Sequence, residues 1–358
     1  MTLFDSPDFA NHEGVHAVFD EKSGLKTIIA VHSTARGPAA GGCRMWPYAS
    51  AEQALTDALR LSQGMSYKNA MADLPLGGGK SVIIGDSRKD KTPALFEAFG
   101  RAVDGLGGKY WTAEDVGVSP SDLMQARRFT KYVAGLEGHA AASGDPSPVT
   151  AEGVFRGVRL CVERAYDRDL NGVTVAIQGV GHVGAYLADK LHAAGAKLII
   201  TDVNEQALAE VAARTGATIV APDAIFDAEA EVFAPCALGG ALNAQTLGRL
   251  KGRVVAGAAN NQLATPEIGR LLFEQGLLYA PDYVINGGGI INVAAEIIGI
   301  ETGTAFDGAW VDAKLAKLAD TLGEVLDRSV ADKRPTNEVA DEMAKARIAE
   351  AEKLKKAA

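Results

Sequence analysis

Two lysines and an aspartate in the first third of the sequence have the side chains and surroundings for proton-transfer chemistry. Lys80 follows the glycine triplet Gly77–Gly79, and such a triplet can present a lysine in a crevice without crowding it. A lysine that becomes buried loses its proton more easily and can act near neutral pH. Lys68 precedes it by twelve residues, and Asp115 lies in the polar and glycine segment 112–117. Two lysines on adjacent elements can serve one anionic substrate in different roles.

The surroundings of these residues also allow other interpretations. A phosphate-binding Walker A loop would require a glycine at the position of Leu74, so an ATPase is excluded. Surface lysines, however, far outnumber catalytic ones. Glu114 and Asp115 could equally form the N-cap region of a helix. Sequence spacing alone leaves both roles open.

A second glycine-rich segment has the dinucleotide-binding pattern G-x-G-x-x-G. It consists of Gly179-Val180-Gly181-His182-Val183-Gly184, between a predicted strand at 173–178 and a predicted helix at 182–194. The first glycine permits a tight turn, the second lets the backbone approach a pyrophosphate, and the third lets helix and strand pack closely. The N-terminus of the helix then faces the negative charge. Because strand, turn and helix arrive in order, we predict a dinucleotide site here.

Asp202 closes the next predicted strand, at 197–201, and indicates which dinucleotide binds. Its carboxylate would accept hydrogen bonds from the adenosine ribose hydroxyls and would repel a 2′-phosphate, so we predict NAD rather than NADP. The alternative is a solvated aspartate at the end of a strand.

The candidate residues must be positioned by two kinds of α/β domain. In the first third, a strand is predicted at 26–31 and a helix at 51–65, and Lys80 is expected where a loop becomes a strand. From about Val173 onward, apolar strands alternate with amphipathic helices, which is typical of a parallel, doubly wound Rossmann sheet. We predict an N-terminal α/β domain at 1–135 and a Rossmann domain at 136–335. A last helix, at about 336–358, is expected to pack back on the first domain.

Composition and charge exclude several classes of partner. The net charge is −9 and the basic residues are scattered, which argues against nucleic acid or an anionic membrane. No stretch reaches the roughly 18 apolar residues of a membrane span, and the first residues do not resemble a signal peptide. Three cysteines at wide, unpatterned spacing suit a reduced cytoplasmic protein and do not form a zinc site. We therefore predict a cytoplasmic protein with small-molecule ligands and no metal.

The sequence resembles the glutamate, leucine, phenylalanine and valine dehydrogenase family, in its leucine, phenylalanine and valine branch, over nearly its whole length. The matching stretches are GPAAGGCRM (37–45), GMSYKN (64–69), LGGGKS (76–81), TAEDVG (112–117), SPVT (147–150), APCA (234–237), GAANN (257–261) and APDYVIN (280–286). The resemblance implies NAD-dependent, reversible deamination of an L-amino acid to a 2-oxo acid in a cleft that closes between the two domains. It also implies substrate binding and assembly through the first domain, at least as a homodimer.

The same resemblance implies a role for each candidate residue. Lys68 would bind the substrate carboxylate, Lys80 would activate water and stabilise the carbinolamine oxygen, and Asp115 would shuttle a proton to and from the substrate nitrogen. The residues implied to position the substrate are Gly41, Gly42 and Asn261. Besides the glycine turn, the residues implied to contact the cofactor are Thr150, Cys236, Ala237 and Asn260.

The resemblance further implies an apolar pocket for the substrate side chain, lined by Ala40, Ala113, Ile290 and Val293. Glutamate-specific members have a lysine where this chain has Ala40, so glutamate is not expected as a substrate. An apolar pocket separates substrates by only about 1–3 kcal/mol per methylene, and broad specificity is expected. The small Ala40 favours phenylalanine or another bulky side chain, which we predict. Ala113 and Ile290 favour the alternative, leucine or valine.

Two further functions share the same cofactor domain. A 2-hydroxy-acid dehydrogenase would need a histidine and arginine pair, and none of the six histidines lies in a comparable glycine-rich motif. A non-catalytic NAD-binding regulator would keep the glycine turn but would have no need for Lys68, Lys80 and Asp115 together. Turnover that survived a Lys80→Ala substitution would argue against the deaminating dehydrogenase.

Overall fold

The computed structural model describes residues 3–357, which fold as two compact units. Unit 1 holds the chain up to Asp145, residues Asn292–Trp310 and the chain from Ala344 onward. Unit 2 holds Pro146–Ile291 and Val311–Met343.

Strands and helices alternate along most of the chain. The strands are β1 Gly14–Asp20, β2 Leu25–Ser33, β3 Ala39–Trp46, β4 Gly77–Ile84, β5 Tyr110–Glu114, β6 Thr174–Gln178, β7 Lys197–Thr201, β8 Thr218–Ile219, β9 Val232–Pro235, β10 Val254–Val255 and β11 Leu278–Tyr279. The helices are α1 Ala51–Met71, α2 Pro93–Asp104, α3 Pro120–Arg127, α4 Ser147–Tyr166, α5 His182–Ala193, α6 Glu205–Thr215, α7 Pro266–Glu274, α8 Asp282–Ile285, α9 Gly288–Thr302, α10 Gly308–Asp332 and α11 Thr336–Ala357. Within residues 3–357, no helix is both long and apolar enough to cross a membrane.

Unit 1 is built on a five-stranded mixed sheet in the order β1-β2-β4-β3-β5. β3 runs parallel to β4 and β5, whereas β2 runs antiparallel to β1 and β4. Helices α2 and α3 cover one face, where Met45, Phe96, Phe99 and Tyr110 form a buried core. In the strand order, β4 is central, with β2 on one side and β3 on the other.

The glycine triplet belongs to β4, so Lys80 lies inside a strand. The expectation that Lys80 marks the change from loop to strand was wrong. A Cβ atom on Gly78 would collide with the backbone of Ser66 in α1, and a Cβ atom on Gly79 would meet the ring of Tyr110. The glycines thus allow close approach of neighbouring elements instead of forming a turn.

Helix α1 continues to Met71, beyond the predicted end at Met65, so Lys68 lies within its last turn. The helix packs along the sheet, and the Asn69 side chain donates to the carbonyl of Gly77 at 2.5 Å. Burial of this face stabilises the additional turn, since most helical stability in proteins comes from tertiary packing.

Unit 2 is built on a parallel six-stranded sheet in the order β11-β10-β9-β6-β7-β8. The chain starts at β6, proceeds outward to β8, and then returns to the other side of β6 with β9. In open α/β sheets, ligands bind at the carboxyl ends of the strands beside such a reversal. The predicted fold class, two α/β domains of which the second is a doubly wound Rossmann sheet, is confirmed.

The limits of the two units differ from the predicted boundary at residue 135. Residues up to Asp145 remain in unit 1, and the segment 292–310 returns to it from the C-terminal half of the chain. In the last helix, Arg347 donates to the carbonyls of Ala70 and Met71, each at 3.2 Å. The part of α11 from Ala344 onward therefore packs within unit 1. Such a discontinuous unit leaves no trace in the periodicity of the sequence.

Two histidines pack against each other inside unit 1. The ring centroids of His12 and His32 lie 4.9 Å apart. His12 Nε2 is 2.9 Å from Ser62 Oγ, and His32 Nδ1 is 2.7 Å from Ser66 Oγ. Burial lowers the pKa of both rings, and the neighbouring His12 lowers the pKa of His32 further, to about 4. Both rings are therefore neutral at pH 7.

Acid is expected to destabilise this histidine pair. In the unfolded chain a histidine has a pKa of about 6.5. The stabilising contribution of His32 is thus complete above pH 6.5 and is lost as the pH falls toward 4. Between pH 7.5 and pH 5, urea unfolding should show a loss about 1–2 kcal/mol larger for the wild type than for His32→Gln. The exposed His192 offers a control, because His192→Gln should retain the wild-type pH dependence. Equal pH dependence of all three proteins would contradict the expectation.

Candidate active site

Lys80 and Asp115 form a close ion pair in unit 1. Lys80 Nζ lies 2.5 Å from Asp115 Oδ2, and the two side chains are 7% and 22% exposed. Lys80 projects from β4, and Asp115 follows the last residue of β5. β3 lies between these two strands and sets their separation. Residues 35 positions apart are thereby brought into contact.

Arg44 is a second cation on the same carboxyl oxygen. Its Nε donates to Asp115 Oδ2 at 3.3 Å, and its Nη1 donates to Asp57 Oδ2 at 3.0 Å. Asp57 Oδ2 also accepts a hydrogen bond from the Tyr48 hydroxyl at 2.5 Å. Asp57 and Tyr48 thus hold the guanidinium in place, and Arg44 cannot leave Asp115 without breaking its bonds to Asp57.

These charges decide the protonation of Asp115. Burial alone would raise the pKa of this carboxyl, but the charges of Lys80 and Arg44 outweigh burial and lower the pKa of Asp115 to about 2. Asp115 is therefore ionised at neutral pH and able to accept a proton. Arg44 stays charged at every accessible pH.

Gly41 and Gly42 pack tightly beside this ion pair. A Cβ atom on Gly41 would collide with the carbonyl of Gly79, and one on Gly42 would lie 2.8 Å from the Cβ atom of Asp115. Both positions require glycine because neighbouring backbone fills the space. The structure therefore gives both residues a packing role, Gly41 against Gly79 and Gly42 against Asp115, in addition to the substrate-positioning role that the resemblance implied.

The candidate pocket residues of unit 1 are apolar. Ala40 and Ala113 are 1% and 9% exposed and lie on the adjacent strands β3 and β5, where Ala113 pairs with Gly42. Val293, a third pocket candidate, is half-buried on α9. Lys68, the candidate ligand of the substrate carboxylate, is half-buried on α1. Ile290, the fourth candidate, lies on α9 in unit 2.

In unit 2, the glycine turn follows β6 directly and opens α5. Gly179 has a φ of 98°, which favours glycine, and a Cβ atom on Gly184 would collide with the carbonyl of Gly179. Nothing lies within 4 Å of a Cβ atom on Gly181, and no side chain caps the twelve-residue helix α5. Its first N–H groups can therefore bind an anion. Val180 is buried beneath the turn, Val183 is half-buried, and His182 is exposed.

The side chain of Asp202 accepts a backbone hydrogen bond from the glycine turn. Its Oδ2 accepts the N–H of Val180 at 2.7 Å, and its Oδ1 accepts the N–H of Asn204 at 2.9 Å. The carboxylate therefore organises the backbone of the glycine turn, a role that the sequence did not reveal. Asp202 therefore differs from the alternative, an aspartate that is only solvated at the end of a strand.

Two of the other candidate cofactor residues of unit 2, Cys236 and Ala237, border the same turn. Cys236 donates its N–H to the carbonyl of Gln178 at 2.7 Å, and Ala237 lies where a Cβ atom on Gly179 would collide. The cofactor candidate Asn260 accepts a hydrogen bond at Oδ1 from Asn286 Nδ2 at 2.8 Å. The substrate-positioning candidate Asn261 has a left-handed φ of 52°. Thr150, at the start of α4, donates to the carbonyl of Pro146 at 2.9 Å. These residues and the uncapped helix fit a dinucleotide, whereas no group of three possible metal ligands occurs in residues 3–357.

Comparison with known families assigns both parts of the chain. A model described as the Glu/Leu/Phe/Val dehydrogenase dimerisation domain matches residues 12–132. A model described as glutamate/leucine/phenylalanine/valine dehydrogenase matches residues 146–204 and 198–358. The chain belongs to this family. The resemblance inferred from the sequence is thus confirmed, and the protein is an amino-acid dehydrogenase.

Relatives of this dehydrogenase are named for different amino-acid substrates. Leucine dehydrogenase of Geobacillus stearothermophilus is 48% identical, over 97% of this chain and 94% of that protein. Phenylalanine dehydrogenase of Bacillus thermotolerans is 43% identical, over 97% and 91%. The solved structure of L-tryptophan dehydrogenase from Nostoc punctiforme has a TM-score of 0.85 at 39% identity, over 98% of this chain and 99% of that chain. Hetero-hexameric glutamate dehydrogenase from Thermus thermophilus, at 23% identity, shares the fold with a TM-score of 0.79 over 96% of this chain and 90% of that chain.

The sequence analysis of this dehydrogenase missed Arg44, Asp57 and Tyr48. Arg44 lies within the quoted GPAAGGCRM stretch, two residues after Gly42, so it projects from the same side of β3. An arginine inside an otherwise apolar and glycine strand was the available signal, because a buried charge requires partners. Its two carboxylate partners lie 13 and 71 residues away, and only the fold identifies them.

Replacement of Gly42 by alanine should disturb the dehydrogenase through Asp115. The added methyl group would press on the Asp115 Cβ atom and on the Glu114 carbonyl. We expect Gly42→Ala to lower kcat by about 10- to 100-fold, since small misplacements of reacting groups are costly. Gly64→Ala is the matched control: nothing lies within 4 Å of its Cβ position, and alanine favours a helix. Steady-state kinetics and Tm measure both, and equal kcat in the two variants would argue against the packing role of Gly42.

Proposed function

We propose that the protein catalyses the reversible oxidative deamination of an apolar L-amino acid with NAD. The observation that carries this proposal is the buried pair of Lys80 and Asp115, with Arg44 on the same carboxylate. In the reaction, the amino acid, NAD⁺ and water give the 2-oxo acid, ammonium, NADH and one proton. The substrate carbon loses two electrons as a hydride, and bound NAD supplies the hydride acceptor.

The protein's own groups handle the carboxylate and the protons. Lys68 pairs with the substrate carboxylate, and Asp115 accepts a proton from the substrate ammonium, which frees a lone pair to expel the hydride from Cα. Lys80, after releasing its proton, takes one from water as the water oxygen bonds to Cα. Asp115 then returns its proton to the nitrogen, and the C–N bond breaks. The departing ammonia takes the remaining hydroxyl proton, and Lys80 releases its proton to solvent.

NAD is proposed as the cofactor on the strength of Asp202. A carboxylate at this strand end disfavours the 2′-phosphate of NADP, and its bonds to Val180 and Asn204 hold it beside the turn. Initial rates with NAD and NADP at equal concentration test the choice. Comparable rates would contradict it.

For the substrate, we propose a branched-chain amino acid, with L-leucine preferred. The support is the identity of 46–48% to leucine dehydrogenases together with the apolar Ala113 and Val293. L-Phenylalanine is the second candidate: the small Ala40 leaves room for a larger side chain, and a phenylalanine dehydrogenase is 43% identical. The preference for phenylalanine, expected from Ala40 alone, therefore takes second place.

The proposed function is tested by NADH production at alkaline pH. L-Leucine, L-valine, L-phenylalanine and L-glutamate should be compared as separate substrates. We expect the highest kcat/KM with leucine or valine and negligible turnover of glutamate. A highest value with phenylalanine would favour the second candidate, and no turnover with any substrate would contradict the proposed function.

Assembly as a homo-oligomer through unit 1 is also proposed, because residues 12–132 match a family model that is described as a dimerisation domain. Sedimentation velocity should show a species of at least twice the 37.3 kDa chain mass. A monomer at micromolar concentration would contradict this. The free thiols of Cys43, Cys161 and Cys236 support the proposed cytoplasmic location.

A further inference from the structure

A buried carboxyl group lies in unit 1 apart from the Lys80–Asp115 pair. Glu296 of α9 has no solvent exposure. It accepts hydrogen bonds from the backbone N–H groups of Gly135 at 3.0 Å, Leu136 at 3.3 Å and Ser143 at 3.1 Å. Ser143 Oγ donates to it at 2.5 Å, and His139 Nε2 lies 3.2 Å from it. A buried carboxyl is tolerated only with such a set of partners.

All five bonds come from one stretch of chain, residues 133–143, which we call the wall segment. Its first part lies along β5, because the N–H of Ala134 donates to the carbonyl of Thr112 at 2.9 Å. A Cβ atom on Gly135 would be 3.9 Å from the Cβ atom of Ala113. The wall segment thus contacts the strand that carries the candidate pocket residue Ala113.

The other side of the wall segment meets α9. Asn292 Nδ2 donates to the carbonyl of Ser143 at 3.1 Å, and Asn292 and Glu296 are four residues apart on one helix face. Val293 precedes Glu296 by three residues and therefore projects toward the same side. The spacing between Val293 on α9 and Ala113 on β5 depends on how the wall segment is held between them.

We propose that Glu296 is a positioning residue that sets the size of the substrate side-chain pocket. It fixes the wall segment by five bonds and thereby fixes the separation of Ala113 and Val293 without contact to the substrate. This inference rests on the proposed function, since it takes Ala113 and Val293 as pocket residues. The substrate class concerned is apolar amino acids that differ in side-chain volume.

Glu296→Gln tests the proposal with little change of shape. The amide nitrogen cannot accept hydrogen bonds, so the wall segment loses the partner of at least one backbone N–H: that of Leu136 if the nitrogen replaces Oε1, or those of Gly135 and Ser143 if it replaces Oε2. We expect the segment to loosen and the pocket to enlarge. The ratio of kcat/KM for L-phenylalanine to that for L-leucine should rise by about fivefold or more. Amide hydrogen exchange of residues 135–143 should become faster in the same variant.

Ser143→Ala provides a milder variant should Glu296→Gln fail to fold. It removes the 2.5 Å bond and leaves the three backbone bonds, so a rise of about twofold in the same ratio is expected. Glu231→Gln is the matched control in unit 2. Glu231 also accepts a backbone N–H, that of Thr174 at 2.7 Å, and pairs with Arg168. This control should lower Tm and leave the ratio unchanged.

The outcomes separate the inference from the proposed function. An active wild type, together with an unchanged ratio in both Glu296→Gln and Ser143→Ala, would overturn the inference alone. A ratio that shifted equally in Glu231→Gln would overturn it as well, because general destabilisation would then explain the effect. A wild type that oxidises no amino acid would contradict the proposed function, and the inference would fall with it.

Discussion

Lys80→Met is expected to lower kcat by roughly 10³-fold, within the range that a general acid–base group contributes. The methionine fills the volume of the buried lysine but cannot take a proton from water. Lys68, the proposed ligand of the substrate carboxylate, is unchanged, so KM for the amino acid should change far less than kcat. Steady-state oxidation of L-leucine over a range of pH measures both constants.

The same unit contains a matched control for this substitution. Lys91 Nζ lies 2.5 Å from Asp122 Oδ2, the same distance as in the Lys80–Asp115 pair, with side chains that are 27% and 16% exposed. Lys91→Met breaks a lysine–aspartate pair without touching the candidate site. It should lower Tm and preserve kcat. If Lys80→Met retained wild-type turnover, the chemistry assigned to Lys80 would be wrong and a non-catalytic role would be favoured.

Asp115→Asn is expected to reduce kcat by roughly 10³-fold as well, because an amide can neither accept the ammonium proton nor return it. The substitution also leaves the charges of Lys80 and Arg44 without the carboxylate between them. The electrostatic effect should appear in Tm, and the chemical effect in kcat. Since the pKa of Asp115 is about 2, the wild type should show no loss of kcat from protonation of this group between pH 5 and pH 10.

Asp122→Asn separates the two effects of the Asp115 substitution. Asp122 accepts the N–H of Ser119 at 2.8 Å and pairs with Lys91, so its loss should destabilise the start of α3. Turnover should stay near the wild-type value. Equal loss of kcat in Asp115→Asn and Asp122→Asn would show that stability, and not proton transfer, explains the first result.

The dinucleotide turn could be predicted from sequence because the elements of its pattern are local. Strand β6, the three glycines and the start of α5 lie within a single stretch of chain, and the close approach of Gly184 to the carbonyl of Gly179 is set within that stretch. The order of apolar strands and helices likewise determines a doubly wound sheet, since parallel strands need helical connections. These features follow from short-range periodicity.

The charge network around Asp115 could not be predicted in the same way. Arg44, Asp57 and Asp115 come from β3, α1 and the end of β5, and their contact depends on sheet order. The buried role of Glu296 was equally hidden, because 153 residues or more separate it from its partners. Lys80 was misplaced at a strand start since glycines usually indicate turns, whereas here they allow α1 and Tyr110 to approach β4. Sequence patterns indicate local conformational preference. They do not indicate which distant elements will pack against a glycine.

The central position of β4 has a consequence for how the enzyme moves. The backbone at Lys80 pairs with β2 on one side of the strand and the neighbouring residue Ser81 pairs with β3 on the other. Amide protons in such a strand exchange only through the rarest openings of a protein. The Lys80 amine is thus carried by a strand that is paired on both sides, so its movement relative to the sheet comes from its own side-chain torsions. In the proposed reaction, larger conformational adjustments would then fall to the substrate and to the surrounding helices and loops, with the backbone of β4 as their fixed reference.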